Sequence, residues 1–438
     1  MGKIVAKFGG SSLSDAGQFR KVRDILLMDP RRVYVVPSAP GKRFSKDDKV
    51  TDLLYAAYRQ HRDGGDWETP FQRIEERYRQ IAADLHLAFD LDAELARIRE
   101  DIANGASEDY CASRGEYLNG LLLSHYVGFR FLDPKAFIFF GQDGALDSER
   151  TNQTLEAILE NEPNAIVPGF YGSMPDGSIH TFSRGGSDIT GAIVARAAGA
   201  EVYENWTDVS GFMMADPRLV ENAKSIRSVT YRELRELSYM GATVLHEDSV
   251  FPVHRAGIPT NIRNTNEPDH CGTLITHNAD GEKNPYIITG IAGRVGFSII
   301  SIEKAMMNTE RGFGRRVLQA IEEAGLSFEH LPTGIDTLCV VLETAQLAPV
   351  KEKIVSRIME LTSPDTLTIH DDMGLIATVG RGMVHNPGTA ARLFTALSRE
   401  HVNVRMIDQG SSELSILVGV DCCDFETAIR AIYSEFVR

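Results

Sequence analysis

Three short segments bring together residue types that handle phosphate and carboxylate groups. In Lys7–Phe8–Gly9–Gly10–Ser11–Ser12, two glycines follow a short apolar strand. Backbone N–H groups there can approach an anion closely, and the start of the next helix favours negative charge. Lys7, at the strand end, adds a full positive charge. The lysine precedes the glycines, so this is neither the GxxxxGK[ST] phosphate loop nor a GxGxxG fingerprint. The second segment, Thr181–Phe182–Ser183–Arg184–Gly185–Gly186–Ser187–Asp188, again sets two glycines before a helix. Ser187 or Asp188 could serve as a plain helix cap. Arg184 beside the glycines can grip a carboxylate with two parallel hydrogen bonds. The third segment runs from Trp206–Thr207–Asp208–Val209–Ser210–Gly211 to Asp216–Pro217–Arg218. Thr207–Asp208 follows an apolar strand, where open α/β sheets bind ligands. Two Gly-Gly segments, one with Lys and one with Arg, predict two anions facing each other.

The elements that must position these residues alternate. Lys3–Phe8 reads as a strand, Gln18–Met28 has helical spacing, and Val33–Val36 is a buried-strand run, which together suggest a βαβ unit and a parallel sheet. Asp52 to about Val127 reads as a long, charged helical excursion. Strands are expected at Ala136–Phe140, Ala165–Pro168, Ser178–Thr181, Val202–Asn205 and Thr260–Ile262, with helices at Asp188–Ala198 and Tyr231–Met240. Thr276–Pro285 has linker composition.

The chain has 438 residues, enough for about three domains. Lys plus Arg number 46 and Asp plus Glu 61, giving a net charge of −15. Such a surface repels nucleic-acid backbones and anionic lipids, so neither is an expected partner. No window approaches the length of a membrane span. The beginning of the chain reads as a strand and not a signal peptide, which predicts a cytoplasmic protein. The five cysteines lack disulfide or zinc spacing, and no His/Cys/Asp cluster has metal-ligand spacing, so no metal site of the protein's own is expected.

Beyond the linker lies an internal repeat. A shift of 76 residues superposes Gly312 on Gly388, Leu318 on Phe394, Leu326 on Val402, Gly334 on Gly410, Leu338 on Leu414 and Val340 on Ile416, without a gap. Each copy reads strand, Gly-led turn, helix, strand, Gly turn, strand, the mark of a duplicated α+β module.

These three segments, in this order and spacing, resemble the aspartate kinases of the amino acid kinase family. Val35–Val36–Pro37–Ser38–Ala39, Val50–Thr51–Asp52, Arg114–Gly115–Glu116 and Gly241–Ala242 with Val244–Leu245–His246 add to the resemblance, and the duplicated tail resembles paired ACT modules. The resemblance implies a three-layer α/β sandwich of the amino acid kinase type at 1–275, a linker at 276–285, and two ferredoxin-like ACT modules at 286–362 and 363–438. It implies ATP with Mg²⁺, L-aspartate as substrate, and 4-phospho-L-aspartate as product, the first step of the lysine, threonine and methionine pathway. Kinases of the same superfamily acting on glutamate, acetylglutamate, carbamate or UMP, and a binding regulator without turnover, are the competing readings.

By the same resemblance, Lys7 and Asp188 are catalytic, and Lys7, Gly9, Gly10, Ser11, Thr207, Asp208, Met213, Arg218 and Thr243 bind the nucleotide. Ser38, Thr51, Glu116, Arg184 and Ser187 bind aspartate, with Glu116 on its ammonium and Arg184 on its α-carboxylate. Three departures stand out. Thr243 replaces a family lysine, Met213 replaces a family aromatic, and the charged stretch Gly41–Lys49 replaces a short Gly-rich turn. A homodimer or a dimer of dimers is expected through the ACT modules. An amino acid effector, lysine above others, is expected at Asn308, Gly312, Phe313 and Glu329.

Overall fold

The structure, a computed structural model, describes residues 2–183, 185–242, 251–278 and 284–437. The chain divides into two compact units: 1–212, 227–231 and 244–282 form the first, and 213–226, 232–243 and 283–438 the second. The expected boundary at 275 is therefore crossed several times. Segments 213–226 and 232–243 fold with the tail and not with the kinase half. The linker expected at 276–285 lies partly outside the described residues.

In the first unit the strands are β1 (Ile4–Phe8), β2 (Arg32–Pro37), β3 (Arg130–Phe131), β4 (Ala165–Ile166), β5 (Tyr171–Ser173), β6 (Ile179–Thr181), β7 (Val202–Thr207), β8 (Ser228–Thr230), β9 (Thr260–Asn264) and β10 (Thr273–Thr276). Eight of them form one sheet in the order β3-β4-β2-β1-β7-β9-β10-β8, and β5 and β6 form a hairpin. From β3 to β9 all neighbours are parallel, so their carboxyl ends lie on one edge. The alternation of strand side chains sorts β1. Ala6 and Phe8 join Trp206 in the core under the helices of the 50–127 excursion, while Lys7 points to the other face. That excursion is four helices: Val50–Arg62, Glu68–Asp84, Leu91–Ala103 and Glu108–Val127. The expected strand at 136–140 is absent. Asp133 caps a 3₁₀ turn at Pro134–Ala136, and Phe139 and Phe140 make only single bridges, to Ser173 and Leu146.

The second unit holds β11 (Gly290–Glu303), β12 (Thr337–Glu343), β13 (Thr366–Val379), β14 (Val404–Asp408) and β15 (Ser415–Asp421) in the order β12-β11-β13-β15-β14. Strands β11 and β13 are offset by the repeat at both ends, as are the helices Phe313–Glu323 and Thr389–Arg399. Gly312 and Gly388 both cap these helices with φ of 75° and 91°, a conformation that favours glycine. The module boundary at 362/363 is not a clean cut. Each long strand serves both modules: Phe297–Glu303 pairs with β12 and with Thr366–His370, whereas Gly290–Val295 pairs with Gly374–Val379 beside β15. The copies differ in one strand. The segment equivalent to β14 makes only bridges at His330 and Thr333, because Pro332 has no N–H to donate to a ladder.

Candidate active site

The carboxyl ends of β1, β2 and β7 border a cavity of about 550 Å³. Lys7, Gly10, Ser11, Ser38, Thr51, Glu116, Ser187, Asp188 and Asp208 all line it. Residues the sequence placed in separate segments thus meet in one place. The cradle under Lys7 is closely packed. Gly41 N–H donates to Gly10 O at 2.8 Å, and a Cβ on Gly10 would lie 2.8 Å from Ala39 O. No other residue fits there without displacing backbone. Gly185 starts the helix Gly186–Ala197 with φ 58°, again a glycine conformation, and that helix brings Ser187 and Asp188 to the cavity.

Register explains the central contact. Lys7 lies opposite Asn205 of β7, and both point to the face covered by the helix Gly186–Ala197. Lys7 Nζ lies 2.6 Å from Asp188 Oδ1, and Asn205 Nδ2 donates to the same oxygen at 2.8 Å. The ammonium is thereby held in place yet still borders the cavity. Glu116 is buried on the helix Glu108–Val127. Asn119 of the same helix donates to Ser38 O at 2.6 Å, and Tyr78 Oη donates to Gly115 O at 2.6 Å. These bonds fix Ser38 and Glu116 side by side. Burial pushes the Glu116 carboxyl up to about 7, against the Ala39 N–H, Arg114 and Lys7, which favour its ionised form. Its Oε2 is buried and has no hydrogen-bond partner among the described residues. An anionic oxygen left open in a cavity suits a cationic ligand group, such as an ammonium.

Not every expected site residue is described at this cavity. Asp208 borders the cavity and Thr207 donates to it at 3.2 Å. Met213 and Arg218 fold into the second unit, where Arg218 pairs with Asp216 at 2.6 Å in a tight turn. Arg184 and Thr243 lie outside the described residues. Of the effector set, Asn308 is exposed and Gly312 begins a helix. Phe313 is in the core of the first module. Glu329 is also not beside them. Its N–H pairs with Val341 near the exit of β12, whereas Asn308 N–H pairs with Ile335 before its entry. Burial, and after it the hydrogen bond to the Glu329 carboxyl, pushes the Tyr239 phenol up to about 12. A cavity of about 230 Å³ at this end is bordered by Tyr239, His330, Asp408 and Ser415. The sequence reading missed Phe170, Lys42 and Lys49 at the first cavity and Asn205 behind Asp188. Asn205 was legible as the neighbour of Lys7 only once strand pairing was known.

The amino acid kinase family model matches residues 2–264 and an ACT domain model residues 376–436. Aspartokinase 3 of Bacillus subtilis is 40% identical over 99% of this chain and 98% of its own length. The chain belongs to the amino acid kinase family and is an aspartate kinase. The crystal structure of the Clostridium acetobutylicum aspartate kinase superposes on this aspartate kinase with a TM-score of 0.92 at 48% identity, each chain covered completely. Escherichia coli aspartokinase III, 26% identical in its complex with aspartate and ADP, superposes with a TM-score of 0.71 over 99% of both chains. In its complex with lysine and aspartate that enzyme superposes with a TM-score of 0.74. The three-layer kinase fold with a C-terminal ACT domain is thus this chain's architecture, and its reaction uses a nucleotide. Among the described residues no helix is long and apolar enough to cross a membrane.

Proposed function

We propose that the 550 Å³ cavity is where ATP phosphorylates the β-carboxylate of L-aspartate, giving ADP and 4-phospho-L-aspartate. The observation that carries this reading is the pairing of a held lysine with an open buried carboxylate in one cavity. The attacking oxygen belongs to a carboxylate, already anionic at neutral pH, so no general base is needed. A β-carboxylate oxygen forms a bond to the γ-phosphorus as the bond to the bridging oxygen of ADP breaks. The work left to the protein is to bring two anions in line and to neutralise charge on the phosphoryl group. Lys7 and the backbone of Gly9, Gly10 and Ser11 face the phosphates, with Thr207 and Asp208 toward the nucleotide. Asp188 keeps Lys7 in place. Glu116 takes the substrate ammonium, with Ser38, Thr51, Arg184 and Ser187 on the rest of aspartate. Among the described residues no group of three His, Cys, Asp or Glu builds a metal site. Mg²⁺ belongs with the nucleotide substrate and would supply charge on its phosphates.

The reaction opens the lysine, threonine and methionine pathway in the cytoplasm, and lysine is the effector. The E. coli enzyme's complex with lysine supports that choice, as does the acidic cavity beside Glu329. A homo-oligomer through the tail fits the exposed Met306 and Ile335 beside the Asn308 turn. An ADP-release assay with aspartate, glutamate and no acceptor tests the core reading: release is expected with aspartate alone. Lysine, titrated at sub-saturating aspartate beside threonine and methionine, should inhibit the wild type and lose potency on Glu329→Ala.

A further inference from the structure

The charged stretch Gly41–Lys49 folds back over the glycines that follow β1. Gly41 N–H donates to Gly10 O at 2.8 Å, and a Cβ on Gly41 would lie 2.7 Å from the Gly10 carbonyl carbon and 2.8 Å from the Ser11 nitrogen. Val50 N–H donates to Pro40 O at 3.2 Å and closes the loop at its base. Inside it, Asp47 is buried. It accepts Arg77 Nη2 at 2.6 Å, Arg43 Nε at 2.9 Å, and the Arg43 N–H at 3.0 Å. Arg77, also buried, donates onward to Gly41 O at 3.1 Å and Ser14 O at 3.3 Å. Burying an ion pair costs desolvation that its attraction often only balances, so its presence in a loop points to a need for defined geometry.

That geometry delivers two lysines. Lys42 and Lys49 both border the cavity of Lys7 and Glu116, and neither forms an ion pair among the described residues. Lys7, by contrast, lies 2.6 Å from Asp188. The named acids of the cavity, Glu116, Asp188 and Asp208, match its three lysines one for one before any substrate enters. A nucleotide and an amino acid dianion then bring several more negative charges into a chain of net charge −15. Lysines free of protein partners are the groups able to meet them.

We infer that Lys42 and Lys49 bind the nucleotide's phosphoryl groups, and that the buried Asp47–Arg77 pair is the positioning device that holds their loop over the glycine cradle. This rests on reading the cavity as the phosphoryl-transfer site. Lys42 follows Gly41, which packs on Gly10 and Ser11, so its ammonium starts beside the backbone amides of the cradle.

The test is steady-state kinetics of the full-length enzyme, with ADP binding measured by calorimetry. Lys42→Met and Lys49→Met are each expected to raise the ATP KM and the ADP Kd about tenfold, the scale of one charge-assisted contact. The aspartate KM should stay within about twofold. Lysine-to-arginine variants should recover much of the loss. Lys46→Met, on the same loop but off the cavity, should behave as wild type. Asp47→Asn should raise the ATP KM while the aspartate KM holds, a split that general destabilisation would not produce. Unchanged ATP KM and ADP Kd in both methionine variants would overturn the inference, and so would a rise in the aspartate KM alone. Lys7→Met separates the two levels. If it destroys turnover while the loop variants are silent, only the loop assignment falls. If Lys7→Met is also silent, the cavity itself has been misread.

Discussion

Two charged clusters lie on opposite faces of β7, and they are built differently. On one face, Glu204 of β7 is buried and saturated. It accepts Arg32 Nε at 2.7 Å, Arg32 Nη2 at 3.1 Å, Arg263 Nη1 at 3.2 Å and Trp206 Nε1 at 2.8 Å. Both guanidinium groups lie over the Trp206 ring, at 5.2 and 4.6 Å. On the other face, Lys7, Asn205 and Asp188 form a chain open to the cavity, and across it Glu116 keeps an oxygen with no partner. Alternation of side chains along β7 puts Glu204 and Asn205 on these opposite faces. The difference separates charge that holds the fold from charge that awaits a ligand. The structural carboxylate, Glu204, has both oxygens filled by the protein; the site carboxylate, Glu116, keeps one unfilled.

The sharpest way to break the comparison is on the saturated side. Glu204→Ala strands the buried Arg32 and the half-buried Arg263 without that counter-charge, a change expected to cost about 3–5 kcal/mol. Chemical denaturation should show that loss in the wild-type-to-variant midpoint, with any folded fraction still turning over. A stable Glu204→Ala would mean this cluster does not hold the sheet together.

On the open side the effect should be reversed. Lys7→Met is expected to lower kcat by about 100-fold or more, as for other preorganised charges at a transition state. Its melting temperature should change little or rise, since Asp188 keeps Asn205 as a partner. Stopped assays over long incubation resolve the residual rate. A variant with near wild-type kcat would remove Lys7 from the site.

Much of this was legible in the sequence because it depends on local pattern. The βαβ start, the paired glycines and the 76-residue repeat need only spacing and residue type, and the helices Phe313–Glu323 and Thr389–Arg399 keep that offset at both ends. What was not legible depends on long-range pairing. Asn205 reaches Asp188 only through the register of β1 with β7. The places of Lys42 and Lys49 at the cavity depend on the buried Asp47–Arg77 contact, which joins residues 30 positions apart. A helix-start aromatic after a Gly turn suits a ligand and a core equally well, and only the fold shows that Phe313 packs in the core. One continuous strand also serves both modules, and composition does not mark the changeover at Gly296, where φ is 93°.

The smallest expected effect sharpens the comparison most, because it reads the unfilled oxygen directly. Burial raises the Glu116 carboxyl from 4.5 to about 7. A group with a raised folded value holds its proton in the folded state where the unfolded chain has released it. Between pH 4.5 and about 7 the folded state therefore binds more protons, and this group's contribution to stability falls as pH rises. Above about 7 the ligand-free enzyme carries a buried charge with one oxygen unpartnered. Glu116→Gln, of the same shape but neutral, should raise the melting temperature of the ligand-free protein at pH 8 and leave it nearly unchanged at pH 4.5. Aspartate reverses the balance, since its ammonium needs the ionised form. In the wild type the aspartate KM should rise by about tenfold per pH unit below 7, and the ATP KM should not follow it. In Glu116→Gln aspartate should bind weakly at every pH, with that slope gone. Melting scans at two pH values and an aspartate KM profile from pH 5.5 to 8.5 make the check. A Glu116→Gln protein less stable than wild type at pH 8 would show that the carboxylate already has a partner, and the open face would then be saturated like the closed one.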